Sequence, residues 1–174
     1  GHLVVYFMKE HINESLARDE YGRFYWRDIC KAAHEQGALV FYAHPFAPPR
    51  PHTKALYEQL DGIEVFNSRV VHSRIPEGNN LALNLCRNLH KPFSAGSDAH
   101  CPSEVGAAYW ECDLPEEAMN APDFEERLKA TIDAVKENGN VIYSSCIESK
   151  CSISTISELV SIINTNIPNG ESKT

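Results

Sequence analysis

Hydrophobic positions along this chain fall into two patterns: short continuous apolar runs, and longer stretches in which apolar residues return every three or four positions. Residues 3–7, 38–43, 62–66 and 92–95 are of the first kind. All four read as strands, and the 38–43 run is too rich in β-branched and aromatic side chains to be anything but a buried one. Between them, Trp26, Ile29, Cys30 and Ala33 recur at helical spacing, with Gly37 as the expected C-terminal cap. Residues 54–60 read as a short helix, and Leu81, Ala82, Leu85, Cys86 and Leu89 form a second apolar stripe. Helices alternating with buried strands predict parallel βα units, an α/β fold. Residues 105–111 are expected as a further strand and the charged stretch 9–23 as a helix and loop.

Beyond Asp113 the pattern changes. Residues 115–123 are acidic and read as helix-breaking, Phe124, Leu128, Ile132 and Val135 mark an amphipathic helix closed by Gly139, and 141–143 a short strand. Ile153, Ile156, Leu159, Val160 and Ile163 again repeat at helical spacing, and 168–174 read as a loose tail. No chemistry is evident there, so 113–174 is expected to close the fold carried by 1–112.

Length and composition narrow the class. At 174 residues the chain is one domain's worth, and no apolar stretch approaches the roughly 20 residues that cross a bilayer. A formal charge of −8 argues against a nucleic-acid surface, so an acidic protein working on phosphates needs a local positive device such as a bound cation. Six cysteines without a C-x-x-C pair fit reduced thiols in a cytoplasmic protein. Cys30 and Cys86 fall on apolar helix faces, whereas Cys101 directly follows His100.

The candidate chemistry sits at strand ends. Residues 95–100 read Ala-Gly-Ser-Asp-Ala-His, placing Asp98 and His100 two residues apart after an apolar run, where strand geometry predicts that both side chains leave one face. The 38–43 run ends in His44, stopped by Pro45, and His2 opens the first run. Histidines and a carboxylate at three strand ends suggest an α/β barrel with a metal site on its rim. Divalent ions held by such groups lower the pKa of bound water towards ~7 and, as an adjacent pair, clamp both oxygens of a phosphoester displacement.

These residues carry a resemblance to the PHP family, named for polymerase and histidinol phosphatase domains. Ala43-His44-Pro45 and Gly96-Ser97-Asp98-Ala99-His100 are similar to two of its strand-end motifs, in the same order, and His2 with the strand after it is similar to a third. The resemblance covers roughly residues 1–112. It implies an incomplete, distorted (β/α)7 barrel with parallel strands, and a centre of two or three Zn, Mn or Fe ions with His2, His44, Asp98 and His100 as ligands. Asp98 and His100 are then the catalytic pair, and a bridging hydroxide attacks a phosphorylated small molecule or nucleotide.

The family's opening His-x-His segment does not occur here, so the chain reads as the back part of a longer protein. Its exposed strand edges are expected either to self-associate or to pair with that missing segment. Arg50 and Arg69 are candidate phosphate donors, because the guanidinium fork suits phosphate oxygens, and Glu64 and Asn67 are candidates for orienting a ligand histidine. His11, His34, His52, His72 and His90 are unassigned. Two other readings compete: a non-catalytic barrel remnant with a binding or regulatory role, and hydrolysis of a C–N bond at the same kind of metal site.

Overall fold

The computed structural model describes residues 2–12, 16–47, 52–110, 116–121, 123–138, 144–145 and 152–153. In chain order its elements are β1 (His2–Tyr6), α1 (Trp26–His34), β2 (Leu39–Ala43), α2 (Lys54–Gln59), β3 (Gly62–Asn67), α3 (Ser68–Val71), α4 (Gly78–Leu89) and β4 (Phe93–Gly96). After a 3-10 turn at Pro102–Glu104 come α5 (Glu116–Asn120), α6 (Phe124–Asn138), and the two-residue strands β5 (Ser144–Ser145) and β6 (Ser152–Ile153).

The apolar runs become one sheet of order β1-β2-β3-β4. Every residue of β2 is buried, as its unbroken hydrophobicity requires of a strand covered on both faces. Val40 and Tyr42 point to one face, where they meet Cys30 and Ala33 of α1 and Leu56 of α2; Leu39 and Phe41 point to the other, against Val135 of α6. Further along the sheet, Ile63, Val65 and Ala95 pack on Leu83 and Cys86 of α4. Burying a side chain of this size contributes about 1.5–3 kcal/mol, so these three clusters hold the layers together. Gly62 is required by close approach, since a Cβ there would collide with the Phe41 ring. Gly37 ends α1 in the left-handed region at φ 74°, its N–H on the His34 carbonyl and the Ala38 N–H on that of Ala33.

The expectation of wholly parallel strands is corrected at β1. β2, β3 and β4 run parallel, but β1 lies antiparallel on β2, with His2 opposite Ala43 and Tyr6 opposite Leu39. A run of apolar residues carries no mark of strand direction, and this direction matters: a parallel β1 would put His2 some 16 Å away, at the far end of the sheet. Among the described residues the sheet is open, with β1 and β4 at its edges, and four strands do not by themselves make the incomplete barrel that the resemblance implies.

Three other expectations also change. Among the described residues of 9–23 no helix forms; Asp19 instead accepts the Tyr21 and Arg23 N–H groups at 2.9 Å each, a side-chain turn that competes with the helical ladder. Residues 105–110 form no strand, because Pro102 starts a 3-10 turn and Gly106 takes φ 81°. The prolines at 115 and 122 bracket the short helix α5 where 115–123 was expected to break one. The cap at Gly139, the strand 141–143, the tail 168–174 and, apart from Ile153 in β6, the last helical stripe lie outside the described residues.

Candidate metal centre

The site is built where β1 begins and β2 and β4 end. His44 follows β2 directly and takes φ 28°, and Asp98, two residues beyond β4, takes φ 52°. Left-handed angles at non-glycine residues are uncommon and persist where neighbouring contacts enforce them. For His44 the enforcing group is Glu64 on β3, whose Oε2 accepts the His44 backbone N–H at 2.8 Å and the Asn67 Nδ2–H at 3.1 Å. Glu64 thus orients the histidine through its backbone rather than through its ring. Burial pushes the Glu64 carboxyl above its ordinary range, partly offset by the Asn67 and His44 hydrogen bonds. Gly96 leaves room for this carboxylate, since a Cβ there would stand 2.7 Å from Glu64 Oε1.

Antiparallel pairing brings the His2 ring to His44, with His2 Nδ1 3.0 Å from His44 Nε2 and the rings edge to face. Asp98 stands between the histidines, its Oδ2 4.0 Å from His44 Nε2 and its Oδ1 3.9 Å from His100 Nδ1. The same-face argument for Asp98 and His100 is replaced by a different geometry. β4 stops at Gly96, and a turn, not strand alternation, aims the two side chains. His100 Nδ1 lies 2.8 Å from the Asp98 carbonyl oxygen. A carbonyl can only accept, so Nδ1 carries the proton and Nε2 keeps a lone pair for a ligand.

Nitrogen and carboxylate donors of this kind fit a divalent cation. Two imidazole nitrogens on one tetrahedral zinc stand ~3.3 Å apart, close to the His2–His44 separation. Among the described residues, however, no three His, Cys, Asp or Glu side chains converge closely enough to hold an ion by themselves. The 4.0 Å separation of His44 and Asp98 is where the set is loose.

The next shell out is a set of loop clamps. Asn67 caps α3, its Oδ1 accepting the Arg69 and Val70 N–H groups, and exchanges two hydrogen bonds with the Asn79 side chain through its own backbone. The Ser68 hydroxyl donates to the Ser97 carbonyl at 2.8 Å, tying the ends of β3 and β4. Arg69 Nη1 contacts Glu104 Oε2 at 2.6 Å, and the same oxygen accepts the His100 backbone N–H at 2.7 Å. The His100 N–H, helped by Arg69, holds the Glu104 carboxyl below the usual range. No role for Glu104 can be read from the sequence, because that role depends on the turn that brings it to the His100 N–H. Arg50 lies outside the described residues. Cys101 is exposed and turns its thiol to Ser103 Oγ at 3.2 Å.

Beside the centre lies a cavity of about 490 Å³, bordered by His44 and Asp98 together with Ala47, Arg69, Val70, Ser73, Arg74 and Ile75. Arg74 was also not singled out from sequence. Nothing in the stretch around it, His72-Ser73-Arg74-Ile75-Pro76-Glu77, distinguishes it from a solvated arginine.

Comparison with known proteins adds three findings. Residues 76–131, which run from the start of α4 past Asp98 and His100 into α6, match the model of the PHP-associated family. An uncharacterized protein of Methanocaldococcus jannaschii is 38% identical over 84 residues, 43% of this chain and 34% of that protein. A two-domain protein of Bacteroides vulgatus containing a predicted PHP-like metal-dependent phosphoesterase aligns with 28% identity and a TM-score of 0.42, over 60% of this chain and 29% of the other. The chain therefore spans about a third of the length of the relatives it matches.

Proposed function

We propose, for a chain whose residues 76–131 match the PHP-associated family, that it forms part of a PHP-type metal-dependent phosphoesterase with its centre at the His2, His44, Asp98 and His100 side chains. The observation that carries this reading is the approach of those four groups from three strand ends, with 3.0 Å between the His2 and His44 nitrogens and Asp98 within 4.0 Å of both His44 and His100. When bound, divalent ions supply a Lewis acid that activates water and neutralises phosphoryl charge. His2, His44 and His100 present neutral nitrogens to such an ion. Asp98 contributes a carboxylate that also lies close enough to the histidines to accept a proton from water. Glu64 fixes the direction from which His44 approaches, and Glu104 does the same for His100. The substrate is a phosphorylated small molecule or nucleotide.

A binding or regulatory module without turnover is the second reading. It is favoured by the failure of three described side chains to close on one ion. Elemental analysis and a hydrolysis panel of phosphate esters and amides, run with added zinc or manganese on the wild type and on the double variant D98A/H100A, separate the readings. Metal uptake and ester hydrolysis that both vanish in the double variant, with its circular dichroism spectrum retained, support the phosphoesterase. Uptake that is unchanged in the variant sinks the site; uptake without any hydrolysis leaves the binding module; amide turnover in place of ester turnover points to C–N hydrolysis.

A further inference from the structure

The cavity beside the centre has two arginines, and they are not in the same state. Arg69 is committed to Glu104 at 2.6 Å and its charge is already matched. Arg74 makes no hydrogen bond or ion pair with any described residue, although it borders the same space as His44 and Asp98. It is nevertheless carried on a fixed turn: the Ser73 hydroxyl accepts the Ile75 N–H at 3.0 Å, and the Ile75 carbonyl accepts the Gly78 N–H at 2.9 Å. In a chain of net charge −8, a guanidinium that borders a cavity, with its backbone held in a turn and no ion pair among the described residues, is available to an anion.

The size of the space decides what that anion is attached to. About 490 Å³ is far more than a phosphoryl group fills and lies within the range of small-molecule sites. Val70 and Ile75 line it together with His44, Asp98 and Arg74, so the body of the occupant is apolar where it meets them.

We infer that this cavity seats the leaving group of the substrate, and that Arg74 anchors a second negative charge on that leaving group. The substrate class is a phosphoester whose leaving group has an apolar body and an anionic end. The inference rests on the proposed reaction at His44 and Asp98, which defines where the scissile phosphate sits.

Two non-hydrolysable probes test it: phenylphosphonate, with one anionic end, and 4-carboxyphenylphosphonate, with two. Their affinities for the full 174-residue chain are measured by calorimetry with zinc and again in EDTA, for the wild type, R74A and R74K. The expected result is that the carboxylated probe binds about tenfold more tightly to the wild type, the scale of one charge-assisted contact. R74A loses that advantage and R74K keeps part of it. Equal or undetectable affinities in the wild type, or an advantage that survives in R74A, overturn the inference. Zinc uptake measured on the same samples reports on the centre separately. A wild type that takes up no zinc but keeps the Arg74-dependent preference sinks the proposed reaction and not the anion anchor.

Discussion

Two residues of the site, His44 and Asp98, carry backbone angles that most side chains avoid, a strain of order 1–3 kcal/mol each that neighbouring contacts must outweigh. A histidine outside the site shows the opposite balance. His52 stacks on Phe46 at 4.7 Å and lies near Tyr42 and Tyr57, yet neither ring nitrogen has a hydrogen-bond partner among the described residues. An unsatisfied buried polar group costs about 1–3 kcal/mol, so H52F, which keeps the stacking and removes both nitrogens, is expected to stabilise the fold by about 1 kcal/mol at pH 8. Desolvation also lowers the His52 pKa below 6.5. The unfolded chain therefore takes up this proton first, and the contribution of His52 to stability is full above pH 6.5 and is lost as pH falls below it. Urea melts between pH 8 and pH 5 should show a shallower acid loss for H52F than for the wild type; identical slopes would mean that the imidazole is not desolvated. At this scale His44, Asp98 and His100 were legible because their residue types stand at the ends of apolar runs. The part played by Glu104, and Arg74 altogether, were not, because their partners and surroundings are made by turns.

Among the elements, β4 and β3 are locked by the pairing of a glycine with a carboxylate. Gly96→Ala would put a methyl group 2.7 Å from Glu64 Oε1 and force that carboxylate off the His44 N–H. The expected loss is about 1–3 kcal/mol in urea unfolding together with weaker zinc uptake, and G96A that matches the wild type in both would show that Glu64 does not steer His44. The helices bury thiols: burial pushes Cys30 on α1 and Cys86 on α4 up to about 11. At pH 8 only about one in a thousand of either is thiolate. Residue-resolved iodoacetamide labelling should modify exposed Cys101 and spare Cys30 and Cys86 until denaturant is added; early labelling of either would contradict its burial. Both cysteines, like most strands and helices, could be placed from periodicity alone, since spacing reports which face is buried. The direction of β1 could not, and neither could the fate of 9–23 and 105–110, where Asp19, Pro102 and Gly106 override charge and apolar pattern.

For the whole molecule the sheet has a weak margin. β1 lies at an edge, and an edge strand held on one side is the cheapest part of a sheet to peel away. Its far connection is long, because His2 and His44 touch across a separation of 42 residues. A cation gripping both rings would thus act as a latch on a large loop, and its effect would be kinetic as well as thermodynamic: β1 could not lift without releasing the ion. At a hundredfold excess over its dissociation constant such a ligand adds about 2.7 kcal/mol against any opening that breaks the site. Amide hydrogen exchange reads this directly. With zinc present, the β1 and β2 amides that pair Leu3 with Tyr42 and Val5 with Val40 should exchange about a hundredfold more slowly, while α4 amides change little. Uniform slowing throughout the sheet, or none, would place the ion elsewhere than His2. If the latch holds, the order of events at low metal is set: the first strand comes away from the sheet before the core opens, and the loss of metal is felt as exposure of an edge.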